Sequence, residues 1–94
     1  MRRVITFGTF DVFHVGHLHL LERARALGDW LIVGVSTDQL NLNKKARAPI
    51  YTYAERARIV GALKTVDEVF AEESLDLKRE YILQYRADVL VMGD

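Results

Sequence analysis

The run from Trp30 to Ser36, WLIVGVS, limits what this chain can fold into more than any other segment. It is too short for a helix of ordinary length and too continuously apolar for a strand with one wet face. It therefore reads as a strand covered on both sides. Such strands belong to parallel sheets, whose neighbouring strands are joined by helical crossovers. The flanking sequence has that alternation. Residues 3–7 (RVITF) are β-branched and aromatic and stop at Gly8, which predicts a first buried strand. Leu18, Leu20, Leu21, Ala24 and Leu27 fall at helical spacing, with Gly28 placed like a C-cap, and predict a helix over residues 16–27. A second helix is expected over 53–63, with Thr52 as N-cap and Glu55 three residues on as in a capping box. A third strand over 66–71, a third helix over 74–85 with Leu75, Leu77, Tyr81, Ile82 and Tyr85 inward, and a fourth strand over 88–92 complete the series. Residues 37–52, which hold the only proline, Pro49, lose all periodicity and read as a long polar connection.

The expected fold is a single α/β domain over residues 1–94, a Rossmann-like parallel sheet with helices on both faces. At 94 residues there is no room for a second core, and with half the residues hydrophobic the chain is not disordered. No apolar run is long enough to span a bilayer and the N-terminus lacks a signal peptide's apolar stretch, so a cytoplasmic protein is expected. The absence of cysteine excludes disulfides, thiolate nucleophiles and cysteine zinc sites. Thirteen basic residues cancel thirteen acidic ones, so no global field draws in nucleic acid. Locally the balance breaks: Lys44, Lys45, Arg47, Arg56, Arg58 and Lys64 face a single acid, Glu55, between positions 41 and 64.

In a parallel sheet of this type ligands bind beyond the carboxyl ends of the strands, which directs attention to residues 8–17, GTFDVFHVGH. His14 and His17 are three apart at the mouth of a helix, so both rings lie on one face beside its first N–H groups. Two imidazoles and a positive dipole end suit a phosphate, with Gly8 giving the strand end room to turn and Gly16 letting the backbone approach the ligand. Two other readings stay open: a metal site formed by the pair with Asp11, or ordinary surface and capping histidines. His19 points elsewhere and reads as surface. Lys44, Lys45 and Arg47 read as a solvated charge run or as a flexible basic loop closing over polyphosphate. Arg56, with no local ion-pair partner, is expected to aim its planar fork at phosphate oxygens, the alternative being a surface charge.

Gly8-Thr9-Phe10-Asp11 followed by His14-Val15-Gly16-His17 resembles the first signature of the cytidylyltransferase branch of the HxGH nucleotidyltransferase superfamily. The similarity runs along the chain through Ser36-Thr37-Asp38, Asn41-Leu42-Asn43-Lys44, Tyr53-Ala54-Glu55-Arg56, Val66-Asp67-Glu68-Val69 and Val91-Met92-Gly93-Asp94. Its strongest likeness is to the branch that acts on glycerol 3-phosphate. The resemblance implies transfer of CMP from CTP to a phosphorylated alcohol, with magnesium on the triphosphate and a homodimeric assembly. It makes His14, His17 and Lys44 catalytic, assigns Gly8, Thr9, Phe10, Asp11, Gly16, Arg56 and Asp94 to the nucleotide, and puts Asp11 beside the metal. Acceptors based on choline or ethanolamine phosphate, an ATP-using adenylyltransferase, and a nucleotide-binding module that turns nothing over are the alternatives. An aromatic cage for choline could draw on Trp30, Tyr51, Tyr53, Tyr81 and Tyr85. Lys64 stands where the family often has arginine, and Lys45, Ala46 and Arg47 blur the register of a second loop cation. The family's second signature, Arg-Thr-x-Gly-Ile-Ser-Thr, does not occur, so the domain is expected to be truncated after its fourth strand.

Overall fold

The computed structural model describes residues 1–92, which form a four-stranded parallel sheet in the order β3-β2-β1-β4. The strands are β1 Arg3–Gly8, β2 Trp30–Ser36, β3 Glu68–Glu72 and β4 Val89–Val91. The helices are α1 Val15–Arg25, α2 Asp38–Lys45, α3 Tyr53–Gly61 and α4 Lys78–Gln84, the last entered through a 3-10 turn at Leu75–Leu77. β2 is an interior strand, paired with β1 on one side and β3 on the other, and every residue after Trp30 is buried.

From β1 the chain steps to β2 and β3 in one direction, then returns past both to lay β4 on the far side of β1. Right-handed crossovers require that reversal to change the face on which helices lie. Accordingly Val4, Leu31, Val33 and Val35 gather with Leu21 and Ala24 of α1 and Val60 of α3, while Ile5, Phe7, Ile32 and Phe70 gather with Tyr81 of α4. The helices lie on both faces, as the sequence predicts. Between β1 and β4 the direction of winding switches, and the strand ends there open a crevice.

The sequence expectation fails in four places, each for a local reason. The stretch read as a polar connection contains α2. Only Leu40 and Asn41 of its eight residues are buried, so no apolar stripe announces it, although Thr37 caps it by accepting from the Leu40 N–H and Ala46 closes it with a left-handed φ of 59°. The third helix starts at Lys78 rather than 74, because the Ser74 hydroxyl accepts from Asp76 N–H and tightens the first turn; Leu75 and Leu77 are exposed rather than inward. Gly28 is not the C-cap of α1, whose last helical residue is Arg25 with Ala26 as cap. Glycine is needed there because a Cβ would lie 2.6 Å from the Arg2 carbonyl oxygen. β3 begins at Glu68 rather than 66, since Asp67 is spent holding the Leu31 N–H with its carboxylate. Among the described residues no helix is long and apolar enough to cross a membrane.

Gly34 sits mid-strand where the Phe7 and Phe70 rings meet edge to face, and a Cβ there would lie 2.7 Å from both. Gly34→Ala is expected to lower stability in urea unfolding by about 1–3 kcal/mol, the usual cost of overpacking. A loss under about 0.5 kcal/mol, the level of a neutral surface change, would show that the aromatic layer yields freely.

Candidate active site

The carboxyl ends of β1 and β3, with Met92 just past β4, open onto a cleft of about 640 Å³, a size suited to a small-molecule ligand. Its walls are the Gly8–Asp11 segment, His17, the α2 residues Asn41, Lys44 and Lys45, the Arg47–Ile50 segment, and Glu72 with Lys78 from the far side.

The histidines begin α1. His14 is the N-cap, its Nδ1 accepting from the Gly16 N–H at 2.9 Å, and its own N–H donates to Nδ1 of His17 at 3.2 Å. This is a capping box made of two imidazoles. With both Nδ1 atoms accepting, each neutral ring carries its proton on Nε2 and keeps one N–H to donate. The ring centroids are 4.0 Å apart. His17 lines the cleft and rests against Phe10 and Phe13, while His14 stands exposed at the rim. Burial pushes the His17 pKa below the usual imidazole value, the neighbouring His14 pushes it further down, and Asp11 opposes both. At Gly16 a Cβ would lie 2.7 Å from Cε1 of His14, so glycine makes room for the capping ring. At Gly8 the constraint is the Phe10 ring, 2.8 Å from a Cβ. The N–H groups of Thr9 and Phe10 find no acceptor among the described residues.

Arg56 departs most from expectation. It is fully buried and presents no fork to the cleft. Its Nε donates to the Tyr51 carbonyl at 3.0 Å, Nη1 to the carbonyls of Thr9 at 2.9 Å and Ser36 at 2.8 Å, and Nη2 to Oδ1 of Asp38 at 2.7 Å. The ion-pair partner not visible locally is thus 18 positions away. Asp38 in turn accepts from the Tyr53 N–H and so fixes the start of α3.

Asp11 is also committed. Its Oδ2 accepts from the Ile50 N–H at 2.7 Å, and its Oδ1 from Tyr51 at 2.8 Å and Val12 at 3.1 Å. Burial acts to raise its pKa, but these hydrogen bonds and the Arg56 charge outweigh it, and the carboxyl is held below the ordinary value. No three of His, Asp and Glu converge as a metal cluster among the described residues. Asp94 lies outside the described residues.

Lys44 and Lys45 occupy the last turn of α2, on a helix rather than a loop. Burial is the main cause of a lowered Lys44 pKa; Lys45 and Lys78 add to it and Glu72 opposes it. Two functional features escaped the sequence reading. Thr9, Ser36 and Asn41 form a hydrogen-bonded floor, with Asn41 Nδ2 to Ser36 Oγ at 2.8 Å and Thr9 Oγ1 to Asn41 Oδ1 at 3.1 Å. Glu72, buried at the end of β3, pairs with Lys78 at 3.1 Å, and that ammonium lies 4.8 Å from the Phe7 ring centroid. A carboxylate closing the apolar run of β3 was the available signal for the second; a lone Asn in a polar stretch gave little for the first. The aromatic residues weighed for a cage do not converge on the cleft. Trp30 bonds Glu68 at the opposite end of the sheet and Tyr85 stacks on Phe70. Arg58 and Lys64 are exposed and do not line the cleft.

Comparison with known proteins agrees with this geometry. Residues 5–94 match the cytidylyltransferase-like family. The chain is 47% identical over 94 residues to a glycerol-3-phosphate cytidylyltransferase of Bacillus subtilis, covering all of this chain and 72% of that protein. It is 43% identical over 91 residues to an FAD synthase of Thermococcus sibiricus, covering 97% of this chain and 62% of the relative. A crystal structure of the lipopolysaccharide core biosynthesis protein from Thermoplasma volcanium superposes with a TM-score of 0.87 at 31% identity, over 96% of this chain and 72% of the other.

Two outcomes are expected. Arg56→Met should destabilise the ligand-free chain by about 3–5 kcal/mol in urea unfolding, and Arg56→Lys by about 2–3 kcal/mol, because buried carbonyls lose their partners. Losses below about 1 kcal/mol would return Arg56 to a ligand-facing role. An NMR titration of His17 should give a midpoint below the 6.5 of an unperturbed imidazole. Below 6.5 the unfolded chain then binds a proton that the folded site refuses, so stability falls as pH drops from 6.5 through the lowered value.

Proposed function

The chain belongs to the cytidylyltransferase-like family of nucleotidyltransferases, and on that premise we propose that it transfers CMP from CTP to a phosphorylated alcohol, sn-glycerol 3-phosphate first among them. One observation carries the reading: the His14–His17 pair, its ring centroids 4.0 Å apart and each Nδ1 accepting a backbone N–H, leaves two Nε2–H donors, and His17 lines a cleft walled by Lys44, Lys45, Arg47 and Lys78. Acceptor identity is supported by the glycerol-3-phosphate cytidylyltransferase from Bacillus subtilis, alike over the whole chain.

The acceptor is already an anionic nucleophile and needs no general base. Its phosphate oxygen attacks the α-phosphorus of CTP in line, the bond to the bridging oxygen breaks, and pyrophosphate leaves with the electron pair. Charge grows on the α-phosphate oxygens and on the leaving group. The histidine N–H groups, the N–H groups of Thr9 and Phe10 and the Lys44 ammonium are the donors suited to meet it. Magnesium bound to the triphosphate would neutralise part of the same charge, with Asp11 the nearest carboxylate by sequence to that segment. Trp30, Tyr51, Tyr53, Tyr81 and Tyr85 do not line the cleft, so the aromatic cage that a quaternary ammonium acceptor would use finds no support in them.

A second reading has its own support. The FAD synthase from Thermococcus sibiricus is 43% identical, and FAD joins AMP to the phosphate of a phosphorylated alcohol, so adenylyl transfer is the same reaction with another base and acceptor. Pyrophosphate release from CTP or ATP, with glycerol 3-phosphate, FMN or choline phosphate as acceptor, separates the two. The first reading expects release only with CTP and glycerol 3-phosphate; release from no pair would leave a binding module.

His14→Asp and His17→Glu keep the N-cap and capping-box acceptors but carry no N–H donor. Each is expected to slow transfer about 100- to 1,000-fold, the cost of losing one transition-state donor. Stability should change by less than about 1 kcal/mol, since the caps remain. His19→Ala, on the exposed side of α1, should leave the rate within about threefold. Full turnover in either site variant would remove the histidines from the chemistry.

A further inference from the structure

The backbone of Tyr51 is gripped on both sides of its Cα. Its N–H donates to Asp11 Oδ1 at 2.8 Å and its carbonyl accepts from Arg56 Nε at 3.0 Å, while the preceding N–H, of Ile50, donates to Asp11 Oδ2 at 2.7 Å. Upstream, α2 ends at Ala46 in a left-handed conformation, φ 59°. Between these two fixed points runs a short strap, of which Arg47, Ala48, Pro49 and Ile50 form one wall of the cleft. The strap is largely exposed, Ile50 to 79%, and takes little hold from apolar burial. Asp11 itself is aimed by its flanks: Phe10 and Val12 have φ of 53° and 47°, strained for phenylalanine and especially for β-branched valine. Strain on both sides of one carboxylate, with both of its oxygens used on the strap, is the pattern of a residue held in place for a task.

We propose that Asp11 is a positioning residue that latches the 46–50 strap across the cleft and thereby sets Arg47 against the triphosphate. The latch is structural and stands on the hydrogen bonds; the part concerning Arg47 rests on the nucleotidyltransferase reading of the cleft. Asp11 acts through the strap and touches no reacting atom. Charge-assisted hydrogen bonds to a carboxylate are about twice as strong as neutral ones, which suits a single side chain to hold a segment that packing does not.

Hydrogen exchange of the intact ligand-free chain tests the latch without reference to nucleotide. In the unaltered protein the Ile50 and Tyr51 amides should exchange at least about tenfold more slowly, relative to their intrinsic rates, than those of Arg47 and Ala48 on the same exposed strap. Equal rates would overturn the latch, whatever becomes of any variant. In Asp11→Asn the Ile50 and Tyr51 protection should fall at least about tenfold while protection within α1 persists. Binding of CTP and of inorganic tripolyphosphate then tests the task. Arg47→Ala should weaken binding about tenfold in the parent but less than about threefold once Asp11 is Asn, because the strap no longer presents the guanidinium. An equal loss in both backgrounds would overturn the positioning of Arg47 with the latch intact. Failure of the unaltered protein to bind either probe would overturn it too, through the cleft reading rather than the exchange result.

Discussion

The Arg56 guanidinium ties four segments of the chain together at one point. Four of its N–H groups reach the end of β1 through Thr9, the end of β2 through Ser36, the start of α2 through Asp38 and the entry to α3 through Tyr51. Carbonyls at strand ends are groups that a sheet leaves unpaired, and burying them without a donor would cost about 1–3 kcal/mol each. One planar, permanently charged side chain answers two of them, and the Tyr51 carbonyl before α3, at once and neutralises Asp38 as well. A cation sealed under the cleft also contributes a positive field to any anion bound above it, so its structural placement does not remove it from the electrostatics of the site.

The apolar frame was legible because burial leaves a periodic trace. WLIVGVS could be little else than an interior strand, and the Thr52–Glu55 pair marked the start of α3 where the structure has it. α2 left no such trace, since it is anchored by a cap and by the polar Asn41 rather than by an apolar stripe. The site divides along the same line. His14 and His17 are specified by a local spacing that the helix start enforces, and sequence sufficed to bring them together. The partners of Arg56 and Asp11 are 18 to 47 and 39 to 40 positions away, apart from Tyr51 beside the first and Val12 beside the second. Sequence shows that such residues carry charge; only topology shows whether that charge faces a ligand or the chain's own backbone. Both had been assigned to ligand or metal, and both turn out to be heavily engaged with the protein.

The cleft is polar beneath as well as around. Thr9, Ser36 and Asn41 exchange hydrogen bonds below the first loop, and Glu72 with Lys78 closes the opposite side. A fully satisfied polar network in a low-dielectric setting is rigid, because any displacement strands a donor or acceptor. The loop that carries Thr9 and Phe10 is therefore backed by fixed dipoles as well as by the buried Phe10 ring. N–H donors preorganised on such a loop need not reorient when charge develops in front of them.

The histidine capping box bears on how this sequence can change. In most sites the distance between two functional side chains is set by the ligand, and insertions can be absorbed by reshaping the loop. Here the spacing of His14 and His17 is that of N-cap to N3, a property of the α-helix itself. Adding or deleting one residue between them would rotate the second ring by about 100° around the helix axis and uncap the first turn in the same event. Helix geometry thus acts as a ruler, and drift in the length of this motif is selected against twice, once through folding and once through chemistry.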